Sequence, residues 1–113
     1  MESLHLGVHI TRPASEVYDY TSQRFNLASW ASGVTDDMQI EFAETNSFGV
    51  LDHWATVDGV RYYNPMRVIP DGEGAELVFT LRRLPGTSDE DFATDAATIA
   101  HDLATLKGLL EAR

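Results

Sequence analysis

The sequence contains no cysteine. That excludes disulfides, thiolate nucleophiles and zinc or iron–sulfur centres held by Cys. Without such staples, the fold must rest on an apolar core. Basic residues are also scarce: eight Lys and Arg stand against 18 Asp and Glu, a formal charge of −10. Binding a phosphate backbone or an anionic membrane surface requires a basic footprint, so neither nucleic acid nor membrane is an expected partner. Lys107 is the single lysine. We read the preference for Arg as genome composition rather than function. No stretch approaches the ~18 apolar residues of a membrane span. The opening Met-Glu-Ser-Leu-His has no basic segment before an apolar run, so no signal peptide is expected. Asn26, Asn46 and Asn64 all lack the following Ser or Thr of a glycosylation site. The expectation is a cytoplasmic protein.

What is present is enough for one domain. The chain has 113 residues, 43% of them apolar. A single domain spanning 1–113 is expected, burying roughly two thirds of the surface of its unfolded form.

Leu4, Leu6, Val8 and Ile10 alternate with His5, Gly7, His9 and Thr11, the period of a strand with one buried face. Pro13 suits the first turn of a helix, where its missing N–H costs nothing, and Val17 and Tyr18 continue it. Phe25, Leu27, Ala28 and Trp30 suggest a second short helix, with Gly33 as its C-cap. Met38, Ile40 and Phe42 alternate as a strand. Phe48 to Val57 reads as another, and Asp58-Gly59 is a hairpin turn. Val60 to Ile69 returns, with Pro65 inside it. A proline cannot donate to a ladder and so marks an edge or a bulge. Glu76 to Arg83 is a further strand. Ser88 is a good N-cap, and Asp89-Glu90-Asp91 suits the positive end of a helix. Phe92, Ala96, Ile99, Leu103, Leu106 and Leu110 then fall within about 40° of one line on a helical wheel. This order describes an α+β domain. A long helix of about 23 residues lies across an antiparallel sheet.

Several candidate motifs fail on geometry. His5 and His9 would chelate zinc on a helix, but on a strand they stand about 13 Å apart. His101 points away from the apolar line. Gly72-Glu73-Gly74 precedes a strand rather than a helix, so it is a hairpin turn and not a dinucleotide loop. The acidic run lacks the ligand spacing of a calcium loop. No metal site and no cofactor are expected. Two segments remain: Phe48 to Trp54 and Tyr62 to Arg67. If Leu51 and Ala55 face inward, so does His53; if Phe48 and Val50 do, Asp52 and Trp54 follow. Either way a titratable group lies in or beside a half-buried sheet, with Arg67, Arg82 or Arg83 to balance it.

The order of motifs resembles the SRPBCC superfamily, also called START-like or Bet v 1-like. The resemblance is carried by Ile10 to Tyr20, Leu27 to Ala31, Asn46 to His53, Asn64 to Val68, Glu76 to Arg83 and Asp102 to Glu111. The later blocks look like a bacterial group labelled polyketide cyclase or dehydrase by similarity. The resemblance implies a helix-grip fold, in which a curved antiparallel sheet wraps a long C-terminal helix around an apolar cavity. Two short helices follow the first strand. Relatives usually have seven strands, whereas this sequence shows about five, with a hairpin missing between Trp30 and Phe42. A shorter sheet exposes an edge, for which a homodimer is one solution.

The expected function is binding of a small apolar or amphipathic molecule between the sheet and the terminal helix. The candidate lining is Trp30, Phe42, His53, Asn64, Arg67, Phe79, Ile99 and Leu103, with Asn64 and Arg67 holding a polar or anionic end. Two alternatives remain. One is a cyclase- or dehydrase-like enzyme with His53 or Asp52 as acid/base and Arg67 steadying negative charge. The other is a homo-oligomeric interaction module without a ligand.

Overall fold

The structure, a computed structural model, describes residues 2–113. Strand β1 (Ser3–Ile10) leads to helix α1 (Ala14–Thr21) and a short 3₁₀ helix (Arg24–Ser29). Strands β2 (Gln39–Phe42), β3 (His53–Val57), β4 (Val60–Asn64), β5 (Met66–Asp71) and β6 (Gly74–Arg82) follow. Helix α2 (Asp89–Glu111) ends the chain. All strand pairs are antiparallel, in the orders β1-β6-β5 and β2-β3-β4.

These two groups are halves of one curved sheet. His53 pairs with Asn64, and the isolated Val50–Arg67 bridge continues the same register past Pro65. Strands β4 and β5 are therefore one long strand bent at Pro65, and five strands run in the order β2, β3, β4/β5, β6, β1. The proline causes the break. Its carbonyl accepts the Thr80 N–H at 2.9 Å, but it has no N–H to return to Thr80. Beyond that point β5 stays paired with β6, while β4 turns away with β3.

The Asp58-Gly59 hairpin takes left-handed angles at both residues, φ 50° and 78°, the twist a two-residue turn between strands requires. In α2, the Ser88 hydroxyl accepts the Asp91 N–H at 3.0 Å, and the three acidic residues occupy the first turn. Phe92, Leu103, Leu106 and Leu110 are buried, each worth about 1.5–3 kcal/mol relative to exposure. They pack mainly over β1 and β6. The core gathers there with Ile10, Val17, Leu27, Met66, Val68 and Leu77.

Three local expectations change. The second short helix is 3₁₀ and closes at Trp30, so Gly33 lies in the following turn rather than at a C-cap, and Phe25 is 78% exposed. Residues 48–52 carry only a bridge before regular pairing begins at His53. There Asn46 gathers the loop: its Oδ1 accepts the Phe48 and Val50 N–H groups, and its Nδ2 donates to the Glu44 and Val50 carbonyls. Gly49 follows at φ +73°, where any Cβ would run into the Val68 carbonyl. Of the apolar side chains of β1, Ile10 is fully buried and Leu4 is 36% exposed. Among the described residues, no helix is long and apolar enough to cross a membrane.

Candidate functional site

The orientation of β3 decides which titratable group faces inward. Leu51 and His53 are buried, so they point to the helix side, and Asp52 and Trp54 point to the outer face. The His53 ring lies 5.1 Å from that of Phe42 and 6.2 Å from that of Phe79. Its Nδ1–H donates to the Leu51 carbonyl at 3.0 Å. Burial holds its pKa below the usual 6.5, against the opposing pull of the Leu51 bond and the Asp52 charge. The ring is therefore neutral at pH 7, with its lone pair on Nε2. Asn64 is its direct cross-strand partner. Trp30, Phe79, Ile99 and Leu103 belong to the same apolar cluster.

The other two proposed acid/base and charge-steadying groups do not meet His53. Asp52 accepts the Tyr63 hydroxyl at 2.7 Å and the Met66 N–H at 2.9 Å. Through this bond the carboxylate raises the Tyr63 pKa. Arg67 alternates with buried Met66 and Val68, so it is exposed on the outer face and donates to the Phe48 carbonyl at 3.4 Å. Seven of the eight expected lining residues thus face the helix side or its apolar cluster, and Arg67 does not. Asp52, His53 and Arg67 do not converge on one reacting atom.

A cleft of about 290 Å³ opens where β4 leaves β6, beside the start of α2. Tyr62, Asn64, Leu81 and Phe92 supply its inner wall. On the outer rim, Trp54 stacks on Tyr63 with centroids 4.6 Å apart, and the Arg61 guanidinium lies 4.1 Å from the Trp54 ring. Arg82 and Arg83 line the β6 side, and Asp95 is the one acidic residue of the lining. Asn64 belongs both to this cleft and to the His53 pair. Sequence reasoning used Arg82 and Arg83 only as charge partners and missed Tyr62 and Phe92 as lining. The signal was Pro65, whose missing donor separates the strands at this point.

Among the described residues, no three His, Asp or Glu side chains are placed to hold a metal. His5 and His9 sit on the exposed face of β1, as their alternation implied. Asp102 is buried at 5% exposure, and among the described residues no donor reaches its Oδ1. Its wheel position, about 80° from Phe92, is the flank of the apolar stripe.

No protein-family model matches this sequence, and no curated protein does. Solved structures do. DynU16, from the dynemicin biosynthetic locus, superposes over 98% of this chain with a TM-score of 0.76 at 16% identity. This chain spans 48% of the length of DynU16. An AHSA1-like protein from Rhizobium etli matches 99% of this chain and 83% of its own, with TM-score 0.71 and 18% identity. A START superfamily protein from Mycobacterium smegmatis matches 96% and 97%, with TM-score 0.64 and 10% identity. The fold is the helix-grip of these AHSA1-like and START-like structures. In this helix-grip the sheet is divided at Pro65, and the cleft lies at that division.

Proposed function

We propose that this chain is a small-molecule binding domain, taking an apolar or amphipathic ligand between its sheet and α2. The observation that carries this is the cleft of about 290 Å³ at the start of α2, in which Tyr62, Leu81 and Phe92 form an apolar and aromatic wall and Arg61, Asn64, Arg82, Arg83, Thr87 and Asp95 a polar one. That composition suits a small ligand with one polar end. Its volume stands near the lower limit of such sites, of roughly 300 Å³. The helix-grip fold supports the placement, because its concave sheet and long helix leave room at their open end. The inward cluster of Phe42, His53 and Phe79 adjoins the cleft through Asn64.

The test is a fragment titration of the ¹⁵N-labelled chain. Amide shifts concentrated at Tyr62, Asn64, Leu81 and Phe92 are expected. Absence of saturable shifts across apolar and amphipathic fragments would sink the proposal.

A further inference from the structure

We infer that the cleft selects a monoanion: a small aromatic or alkyl carboxylate, with its acid group on Arg82 at the outer rim and its apolar part against Leu81, Tyr62 and Phe92. This rests on the cleft being the ligand site.

The charge arrangement argues for it. Three of the chain's seven arginines line one cleft of a protein that carries −10. Two of the three are already engaged. Arg61 pairs with Glu41 at 2.9 Å and covers the Trp54 ring. Arg83 is held by Glu2 at 3.0 Å, by Asp89 at 2.7 Å and by the Thr87 carbonyl at 2.8 Å. Among the described residues Arg82 has no carboxylate or carbonyl partner, and it ends β6 exposed. Its charge is close enough to Tyr63 to favour the phenolate form of that residue, against the stronger effect of Asp52. The Tyr63 hydroxyl already donates to Asp52, so the free guanidinium itself supplies a carboxylate with two N–H donors in a fixed fork geometry.

The alternation of the strand supplies the other half of the ligand. Leu81 is half-buried on the inner side and Arg82 is exposed on the outer side, so consecutive residues present an apolar wall and a cation. The strand separation at Pro65 joins the two sides. One free cation matches one negative charge. A phosphate dianion would leave a surplus charge facing Asp95 in an already acidic molecule.

Phenylbutyrate and its neutral counterpart phenylbutanol, titrated into the labelled chain at neutral pH, test this. The acid is expected to bind about tenfold more tightly than the alcohol, and added salt should erode the difference. Arg82→Gln should abolish the preference by weakening phenylbutyrate about tenfold, with the melting temperature unchanged. Equal affinities in the wild type would overturn the anion selectivity and leave the binding domain standing. A preference that survives Arg82→Gln would overturn the role of Arg82. Failure of both probes to shift cleft amides would overturn the selectivity together with the site on which it rests.

Discussion

The Asp52 carboxylate accepts the backbone N–H of Met66 at 2.9 Å. In a regular antiparallel pair that N–H would go to the Leu51 carbonyl, since Leu51 N–H already donates to Met66 at 2.8 Å. The Leu51 carbonyl instead receives the His53 ring N–H. Two adjacent side chains thus replace backbone groups in the ladder, directly beside the Pro65 bend. This satisfies polar groups that the bend would otherwise leave exposed to an apolar core.

Asp52→Ala should therefore cost stability rather than a reaction. Loss of the carboxylate strands the Met66 N–H, for about 1–3 kcal/mol. Asp52→Asn retains an acceptor oxygen and should cost less. Urea unfolding of both variants measures the difference. Equal stability in wild type and Asp52→Ala would show that the Met66 bond contributes nothing.

The order and type of the elements were legible because they follow periodicity and punctuation. The alternation in β1, the Asp58-Gly59 turn and the Ser88 cap all stand in local sequence. The direction of β3 was not legible. Its two faces, Leu51-His53-Ala55 and Asp52-Trp54, each carry apolar and titratable residues, so alternation fixed the period and left the phase open. The cleft was hidden for a related reason. Pro65 marked an irregularity, but whether a strand bends, bulges or ends there depends on its partner across the sheet. Arg67 was misplaced because the inward positions on either side of it, Met66 and Val68, were known only once that phase was set.

His53 gives a pH signature with a definite sign. Its folded pKa is depressed below 6.5 by burial. Above that value folded and unfolded rings are both neutral, and stability is fully present. As pH falls below it, the unfolded ring gains a proton that the folded ring resists, so stability declines until the folded pKa is reached. Denaturation midpoints should be flat above about pH 6.5 and fall below it, and His53→Phe should flatten part of that fall. A ring pKa above 6.5 by NMR titration would reverse the sign and contradict the burial argument.

Pro65→Val should narrow the cleft. It supplies the N–H that can donate to the Thr80 carbonyl, opposite the existing Thr80 N–H bond to residue 65. One added ladder bond is worth about 0.5–1.5 kcal/mol. Slower amide exchange around Thr80 and Leu81 is expected, with weaker fragment binding. Unchanged exchange would mean that the strands separate for a reason other than the proline.

Gly49→Ala tests the loop that begins β3. The left-handed angle and the close Val68 carbonyl both oppose a side chain there. Strain at such a position costs about 1–3 kcal/mol. The variant should unfold at lower urea, and amide shifts should spread from Gly49 to Val68 across the strand pair. Wild-type stability in this variant would show that the Phe48 loop rearranges freely.

Glu111 ties the end of α2 to the turn after β1. Its carboxylate accepts the Thr11 N–H at 2.8 Å and the Thr11 hydroxyl at 3.0 Å, and Lys107 meets it at 2.6 Å. Lys107 and then Thr11 lower its pKa from 4.5 to about 2. A depressed carboxylate stabilises the fold above its unfolded pKa, and that contribution is lost as pH falls through the folded one. Between about pH 4.5 and 2 the wild type should therefore lose stability more steeply than Glu111→Gln. Because the group is near the surface, salt should reduce the difference. The measurement is the denaturation midpoint against pH for both proteins, with the Glu111 carboxyl titrated by NMR. Parallel curves over that interval would mean that the Thr11 and Lys107 contacts do not distinguish the ionised carboxylate from the neutral acid.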